Sequence, residues 1–398
     1  MAISLINYPL ATNSWDEKEL DAIQQVINSG MYSMGNYVSQ FEVEFAKFVG
    51  CKFAVMVNSG SSANLLAVAS LFYHSNIKIS RGDEVIVPAV SWSTTFYPLY
   101  QYGLKIKFVD IDLESLNYDL EALEDAVTEK TKIILVVNLL GNPNDFIAIR
   151  NIIGGRDILI LEDNCEALGA EFNGKQSGTF GIMGTFSSYF SHHISTMEGG
   201  LVVTDDEELY HILLSLRSHG WTRNLPSINK LTGTKSDNPF VESFNFVLPG
   251  YNVRPLEMSG AVGIEQLKKL PGFLVERKNN AKFFFNLFND SPYFQIQKEI
   301  GVSSWFGFSL IIKENSPFAR MDMVNELQSI GVESRPIVAG NFIKNPVVKW
   351  LDYEIHGNLK NAELIDRNGF FLGNHHFDIS STLEKLDDYI QKFINTRV

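Results

Sequence analysis

The sequence predicts an α/β protein, in which a large domain with a mostly parallel β-sheet and helices on both faces precedes a smaller C-terminal α/β domain. Short apolar runs alternate with amphipathic stretches between residues 53 and 162, and this alternation is typical of parallel strands joined by helices. The chain has 398 residues, of which 45% are hydrophobic, enough for a sizeable core and more than one domain. We place the division between domains 1–262 and 263–398.

Helix signals open the chain. Ser14 and Glu17 have the spacing of a capping box and predict a helix over residues 15–27. A second amphipathic stretch predicts a helix over residues 38–49 that ends at Gly50. The alternating region then predicts strands at residues 53–57, 84–87, 105–110, 132–139 and 158–162, with helices ending at residue 72 and spanning 91–102, 120–127 and 146–153.

The later elements surround a loop rich in serine and histidine. Strands are predicted on either side of it, at residues 185–190 and 201–204. Residues 218–242 are polar and contain glycine and proline, so we expect a long loop there, and loops of that length tend to be functional or mobile. Helices are predicted at residues 254–269, 271–288, 321–330 and 383–393, and a strand at residues 304–312.

Charge and cysteine content exclude several classes of protein. The net charge of −13 argues against a nucleic-acid-binding protein, which would show a basic face. Cys51 and Cys165 are the only cysteines, which excludes a structural zinc site built on cysteines and a four-cysteine iron–sulfur cluster. No signal peptide is recognisable, and the longest apolar run, residues 133–140, is too short to span a bilayer. We therefore expect a cytoplasmic protein with no metal site and no nucleic-acid or membrane partner.

Three polar segments fall at or just beyond the carboxyl ends of predicted strands, where open α/β sheets bind ligands. Residues 59–62, Ser-Gly-Ser-Ser, open a helix and suit a phosphate group, although a plain helix cap has the same composition. Residues 162–164, Glu-Asp-Asn, supply carboxylates, although such residues also cap helices. Residues 187–200 carry His192 and His193, whose rings can carry a proton near neutral pH. Together the segments suit a ring that bears a phosphate.

The order of the motifs along the chain resembles that of one family. The motifs are Asn58-Ser59-Gly60-Ser61-Ser62-Ala63, Glu162-Asp163-Asn164, Ser187-Ser188-Tyr189-Phe190, Glu198-Gly199-Gly200 and Gly250-Tyr251-Asn252-Val253-Arg254. Over nearly the whole chain they resemble the pyridoxal-phosphate sugar aminotransferases of the aspartate-aminotransferase superfamily. The resemblance implies an aspartate-aminotransferase-like fold (fold type I), with pyridoxal phosphate bound in the large domain.

The resemblance also implies roles for single residues. Asp163 would face the pyridine nitrogen and keep it protonated, so that the ring accepts electrons. Trp92 would stack on the ring, although a core tryptophan is the usual alternative. Asn252 would reach into the active site of a neighbouring subunit, which implies a homodimer with shared active sites. The full set is Gly60, Ser61, Trp92, Asp163, Glu166, Ser187 and Asn252 for the cofactor, and His219, Arg223 and Arg254 for the substrate.

The chain departs from the aminotransferases at one position. The family's lysine, which forms a Schiff base with the cofactor, lies seven residues before the Gly-Gly pair, and here that position is His192. No lysine occurs between Lys175 and Lys230. An imidazole, with an ordinary pKa of roughly 6.5, suits a general base. We therefore predict that His192 is catalytic and that His193 is structural.

With a histidine in place of the lysine, the chain resembles the sugar 3-dehydratases within this family. This resemblance implies a reaction. The cofactor would not be tethered and would alternate between pyridoxal phosphate and pyridoxamine phosphate, with glutamate as the amino donor. The substrate would be a GDP-linked 4-keto-6-deoxy sugar, which loses its C3 hydroxyl, and ammonia would be released.

Other readings of the same residues stay open at this point. A nucleotide-sugar 4-aminotransferase that carries histidine in place of lysine would leave a stable amino sugar instead of ammonia. A non-catalytic regulator would need an appended module, and none is visible in the sequence. The 3-dehydratases that use an iron–sulfur centre are disfavoured, because two cysteines cannot hold such a cluster.

Overall fold

The computed structural model describes residues 5–397, so that residues 1–4 and residue 398, the outermost ends of the two predicted domains, lie outside it. The helices are α1 (Glu17–Ser29), α2 (Asn36–Val49), α3 (Gly60–Leu71), α4 (Ser93–Gln101), α5 (Leu120–Ala126), α6 (Phe146–Ile153), α7 (Glu207–Leu216), α8 (Pro239–Glu242), α9 (Glu257–Phe288), α10 (Arg320–Ser329), α11 (Lys360–Asn368) and α12 (Ser380–Asn395). The strands are β1 (Phe53–Val57), β2 (Glu84–Pro88), β3 (Lys105–Val109), β4 (Thr131–Val137), β5 (Leu159–Asp163), β6 (Glu171–Phe172), β7 (Lys175–Gln176), β8 (Met183–Ser187), β9 (Gly200–Thr204), β10 (Ile228–Asn229), β11 (Gly233–Thr234), β12 (Phe294–Ile296), β13 (Gly307–Ile312), β14 (Tyr353–Ile355) and β15 (Gly369–Gly373). Short 3-10 helices span Leu139–Gly141, Phe342–Lys344 and Pro346–Trp350.

An eight-stranded sheet forms the centre of the molecule, in the order β1-β9-β8-β5-β4-β2-β3-β14. β9 pairs antiparallel with β1 and β8, and the remaining neighbours run parallel. Val85 and Val87 lie in one hydrophobic cluster and Ile86 lies in another, as expected for a sheet that is covered on both faces. The predicted α/β fold with a mostly parallel sheet is therefore confirmed. Since β9 runs against its neighbours, its first residue lies at the edge where β1, β5 and β8 end.

A smaller antiparallel sheet, β12-β13-β15, packs with α10 and α12 around a second hydrophobic core. Ile6 and Tyr8 of the N-terminal segment belong to this core, and the Tyr8 hydroxyl donates to the Gly373 carbonyl at 2.5 Å. The predicted domain boundary after residue 262 falls inside α9, which contacts α1 and α2 and also reaches the second core through Phe284. The division into two domains remains a prediction.

The predicted start of the first helix is wrong. The residue that caps α1 is Asp16, whose side chain accepts from Lys18 N at 2.8 Å, and the capping box pairs Asp16 with Glu19. Ser14 instead donates its hydroxyl to Gln266 Oε1 at 2.8 Å. The first turn of this helix therefore begins two residues later than predicted, because Asp16 is the better cap when Ser14 has a tertiary partner.

The two helices predicted at residues 254–269 and 271–288 form the single helix α9. Pro271 lies within it and faces solvent. Proline removes one helical hydrogen bond, but Leu267, Leu270 and Leu274 around it are buried, and this tertiary packing outweighs the local preference for a break.

Three further segments differ from the prediction. Helix α7 was not predicted, because seven of its residues are buried and it lacks a clear polar face. Residues 218–242 contain α8 and the β10–β11 hairpin instead of an unbroken loop. The strand predicted at residues 185–190 ends at Ser187, because Ser188 closes a loop by accepting from Thr196 N at 2.8 Å. None of the helices in the described part of the chain has the length and apolar character that crossing a bilayer requires.

Two glycines of α9 form a matched pair for testing its contact with α2. A Cβ atom at Gly260 would lie 2.6 Å from Val38 N, whereas one at Gly272 would meet nothing within 4 Å. We expect Gly260→Ala to lower the free energy of unfolding by about 1–3 kcal/mol through overpacking. Gly272→Ala should raise it by about 0.8 kcal/mol through helix propensity. Urea titration monitored by circular dichroism measures both, and equal stability of the two variants would contradict this account of the interface.

Candidate active site

The candidate site lies at the sheet edge where β1, β5 and β8 end and β9 begins. Gly60 opens α3 just after β1, and a Cβ atom on it would lie 2.7 Å from Ser187 Cβ at the end of β8. The first turn of α3 presents N–H groups that helical hydrogen bonds do not use, an arrangement that binds anions. Ser61 lies in this turn, is exposed, and donates to Thr94 Oγ1 at 3.0 Å. The predicted phosphate residues Gly60, Ser61 and Ser187 thus come together.

Asp163 is buried at the end of β5, and three donors fix its carboxylate. Oδ2 accepts from Asn64 Nδ2 at 2.9 Å and from Thr95 Oγ1 at 2.7 Å, and Oδ1 accepts from Cys165 N at 3.2 Å. Asn64 is itself held, because its Oδ1 accepts from Thr185 Oγ1 at 2.5 Å. The charge therefore has a fixed position at the floor of the site.

His192 lies half-buried in the loop between β8 and β9. Its Nδ1 is 2.8 Å from the Cys165 carbonyl oxygen. Because a carbonyl oxygen only accepts, Nδ1 carries the proton in the neutral ring and Nε2 is left with a free lone pair. Exclusion of water lowers the pKa of His192 to about 4, although the Cys165 carbonyl and Asp163 act in the opposite direction. The side chain is therefore uncharged at neutral pH, in the state that can accept a proton at Nε2.

His193 is buried and is held from the other side of the loop. Its Nε2 lies 3.1 Å from the Ser304 carbonyl oxygen. Burial lowers the pKa of His193 well below its ordinary value, and the Arg277 charge adds to this. The structural role predicted for His193 agrees with this geometry.

Glu166 and Trp92 lie near the same edge. Glu166 Oε2 accepts from Leu140 N at 2.9 Å, and burial raises the pKa of Glu166 to about 7, with a further contribution from Asp163. Trp92 immediately precedes α4 and is 57% exposed, so it is not a core tryptophan. Thr95, three residues after Trp92, bonds to Asp163, so Trp92 directly precedes the turn of α4 that reaches the carboxylate.

The other predicted residues gather around Trp221. The His219 ring lies 5.1 Å from the Trp221 ring, and the guanidinium carbons of Arg223 and Arg254 lie 4.2 and 5.5 Å from it. Arg254 Nε donates to Asn252 Oδ1 at 2.9 Å. Among the described residues, no side-chain hydrogen bond joins this group to Asp163 or His192. The main chain nevertheless joins this group to the phosphate end of the site, because Asn58 N, two residues before Gly60, donates to the Val253 carbonyl oxygen at 3.0 Å.

Several residues of the site were not predicted from the sequence. They are Asn64, Thr95, Cys165, Thr185 and Trp221. Three of them, Asn64, Thr95 and the Cys165 carbonyl, form a hydrogen bond to a predicted residue, and the sequence carried a weak signal for two. Asn64 lies four residues after Gly60 and Thr95 three after Trp92, one helical turn from a predicted contact.

Comparison with known proteins decides the family. The model of the DegT/DnrJ/EryC1/StrS aminotransferase family matches residues 13–385. The chain belongs to this family. An Escherichia coli O55:H7 protein named GDP-4-keto-6-deoxy-D-mannose 3-dehydratase is 61% identical over 388 residues, which are 97% of this chain and 100% of that protein.

Two solved structures bear on the site of this family member. One is described as GDP-4-keto-6-deoxymannose-3-dehydratase with a trapped PLP-glutamate geminal diamine; it is 61% identical, covers 96% of this chain and 100% of its own, and has a TM-score of 0.95. The other is a variant of the same enzyme in which a histidine is replaced by lysine and the serine directly before it by asparagine. It is 60% identical, covers 95% of this chain and 100% of its own, and has a TM-score of 0.94.

The residues at this edge fit pyridoxal phosphate. The absence of a side chain at Gly60 leaves room where a Cβ atom would touch Ser187, and the start of α3 suits the phosphate. Asp163 is a buried carboxylate at the end of β5, of the kind that can pair with a protonated ring nitrogen. No group of three or more His, Cys, Asp or Glu side chains in residues 5–397 is arranged to hold a metal ion.

Gly60→Ala tests the phosphate end of the site. The new Cβ would lie 2.7 Å from Ser187 Cβ and 3.1 Å from Cys165 Sγ, which should push α3 away from β8 and weaken pyridoxal phosphate binding on the order of tenfold. Gly155→Ala is the control, because its added Cβ would meet nothing within 4 Å. Equilibrium dialysis against pyridoxal phosphate measures both, and equal affinity of the two variants would refute the assignment.

Proposed function

We propose that this chain removes the C3 hydroxyl of GDP-4-keto-6-deoxymannose to give GDP-4-keto-3,6-dideoxymannose. The enzyme is a pyridoxal-phosphate-dependent nucleotide-sugar 3-dehydratase, in which glutamate recharges the cofactor and ammonia is released. The observation that carries the proposal is His192, a neutral imidazole with a free Nε2 at the position of the family's lysine. We place the reaction in the cytoplasm, where glutamate and nucleotide sugars are available.

The relatives support the choice of His192 over His193. In the solved variant a serine directly precedes the replaced histidine. In the β8–β9 loop of this chain, Ser191 directly precedes His192, whereas the residue before His193 is His192. The relative that was trapped with a PLP-glutamate adduct supports glutamate as the amino donor.

The chain's own residues account for the proton movements of such a reaction. When bound, pyridoxamine phosphate supplies an amine for the C4 ketone and a ring that accepts electrons. Asp163 holds a proton on the ring nitrogen, so the ring stays electron-poor. His192 Nε2 removes a proton from the carbon next to the ring, and the same nitrogen then returns a proton to the departing C3 oxygen. Such acid–base assistance contributes about 10²–10⁴-fold in rate.

The missing lysine directs the outcome toward dehydration. A lysine at position 192 would bind the cofactor covalently and compete with the sugar for it, but the described loop between β8 and β9 carries no lysine. An imidazole moves protons without forming a lasting bond to the cofactor. The unsaturated amino sugar therefore leaves the site and loses ammonia in water.

We also propose a homodimer in which each subunit completes the other's site. The segment that carries Arg223, Asn252 and Arg254 exposes apolar side chains: Phe240 is 87% exposed, Phe244 70% and Leu256 58%. Exposed apolar groups on this scale indicate a surface that another chain covers. A fully active monomer in analytical ultracentrifugation would contradict this arrangement.

An assay of the products tests the proposed reaction. The enzyme is incubated with pyridoxal phosphate, glutamate and GDP-4-keto-6-deoxymannose, and ammonia and the sugar product are measured. We expect ammonia in equal amount to a 3-deoxy ketosugar. A stable GDP-linked 4-amino sugar without ammonia would instead identify a 4-aminotransferase, and the absence of any turnover would favour a non-catalytic protein.

Substitutions of the two histidines test the catalytic assignment. His192→Asn should reduce turnover by about 10²–10⁴-fold, since it removes the base, while cofactor affinity is retained because the phosphate and ring contacts do not involve the imidazole. His192→Lys should make the cofactor covalently attached, so that borohydride reduction followed by mass spectrometry finds it on that residue; in the wild type we expect no attachment. His193→Asn is the control and should be mild. Loss of dehydration in His193→Asn alone would move the assignment by one residue.

A further inference from the structure

Arg277 is a buried cation without an acidic partner. It lies on α9, is 5% exposed, and among the residues that the structure describes its guanidinium forms hydrogen bonds to main-chain carbonyls and no ion pair. Its Nη1 donates to the carbonyl oxygens of Trp305, Phe306 and Asn374, at 3.3, 3.3 and 3.1 Å. A buried charge without an ion-pair partner destabilises the folded state. We therefore expect that this guanidinium is important because of the main-chain segment that it binds.

The backbone that Arg277 holds is a strained segment of three residues, Ser304–Phe306. Trp305 is buried with a φ of 49°, in the left-handed region. Leu140 lies in the same region, with a φ of 53°, and its carbonyl oxygen accepts from Phe306 N at 2.9 Å. Such conformations persist only where the surroundings fix them from several sides. Here the 3-10 turn at Leu140 fixes one side and Arg277 fixes the other.

This segment forms the wall behind both histidines. The Ser304 carbonyl oxygen lies 3.1 Å from His193 Nε2. The Phe306 ring lies 5.1 Å from the His192 ring and 5.8 Å from the His193 ring, centre to centre. A contiguous set of contacts therefore runs from Arg277 through the Ser304–Phe306 segment to His192.

We propose that Arg277 is a positioning residue for His192: it fixes the wall on which the imidazole rests and places a permanent positive charge behind it. The inference deepens the proposed function, because it rests on His192 being the base. Its consequence is that His192 stays neutral, with Nδ1 held 2.8 Å from the Cys165 carbonyl oxygen and Nε2 free to accept a proton, although Asp163 favours the protonated ring.

The charged groups around His192 act on its pKa in opposite directions. Asp163 at the end of β5 favours the protonated ring, and Arg277 on α9 disfavours it. His193 and Tyr189 lie on the same loop as His192, Glu166 lies on the turn after β5, and Phe306 on the remaining side is apolar. Burial is the main cause of the low pKa of His192, and the Arg277 charge adds to it in opposition to Asp163.

The test compares Arg277→Gln, which removes the charge, with Arg277→Lys, which keeps it. Arg320→Gln is the matched control, because Arg320 also donates to two main-chain carbonyls, those of Asp366 and Gly369, in the smaller sheet region. The His192 signal is titrated by NMR in cofactor-free protein, with His192→Asn used to assign it. The acid limb of kcat/KM against pH is measured in the loaded enzyme.

We expect Arg277→Gln to raise the pKa of His192, because the charge that opposes protonation of the ring is removed. Since the base works when it is neutral, the acid limb should move to higher pH by the same amount. Arg277→Lys should leave both near the wild-type values, and Arg320→Gln should change neither. An unchanged His192 pKa and an unchanged pH profile in folded Arg277→Gln would overturn the proposal and leave Arg277 a purely structural residue.

Phe306→Leu keeps the test decisive if Arg277→Gln does not fold, because Arg277 bonds to the main chain of this segment and not to the ring. We expect kcat to fall on the order of tenfold with KM for the sugar unchanged and with no shift of the acid limb. A wild-type kcat would overturn the positioning role. These outcomes differ from failure of the proposed function, which would appear as full dehydration activity in His192→Asn whatever the Arg277 variants do.

Discussion

The site depends on a place where three stretches of backbone meet without side chains between them. A Cβ atom on Gly60 would touch Ser187, and one on Gly200 would lie 2.4 Å from the Ser59 carbonyl oxygen. Glycine at both positions lets the start of α3, the end of β8 and the start of β9 approach within van der Waals distance. This approach sets the distance between the anion-binding helix start and Asp163, and it also fixes both ends of the loop that carries His192.

The position of His192 near Asp163 creates an electrostatic problem for a general base. A buried carboxylate such as Asp163 attracts positive charge, and an imidazole beside it tends to become protonated and to lose its function as a base. Partial burial of His192, whose ring packs near Phe306, opposes this first, and the guanidinium of Arg277 adds to it. The net acidity of the chain is thus no guide to the local field, because the charge that matters here is buried.

Much of the candidate site could be predicted, because the ends of strands can be recognised in the sequence. Gly60, Asp163 and His192 each lie at or just beyond the end of an apolar run, and a parallel sheet brings such ends to one edge. Asn64, Thr95 and Thr185 could not be found in this way, since they are ordinary polar residues that matter only through what they contact. Arg277 was invisible for a stronger reason: its partners are carbonyl groups, which no side-chain pattern records. The single helix α9 was misjudged because local proline chemistry competes with packing that only the folded chain reveals.

The position of the first residues in the second core has a consequence for how the protein is made. Ile6 and Tyr8 pack beside strands β13 and β15, and the Tyr8 hydroxyl reaches Gly373 across 365 positions of sequence. During synthesis the N-terminal segment leaves the ribosome first, but the core that receives it is completed last. Strands β1 to β9 of the large sheet can therefore pair on the nascent chain, while the smaller core can close only after residues 307–373 have been made. Contacts of such long sequence separation form slowly, so we expect the docking of Ile6 and Tyr8 into the second core to be a late step in folding.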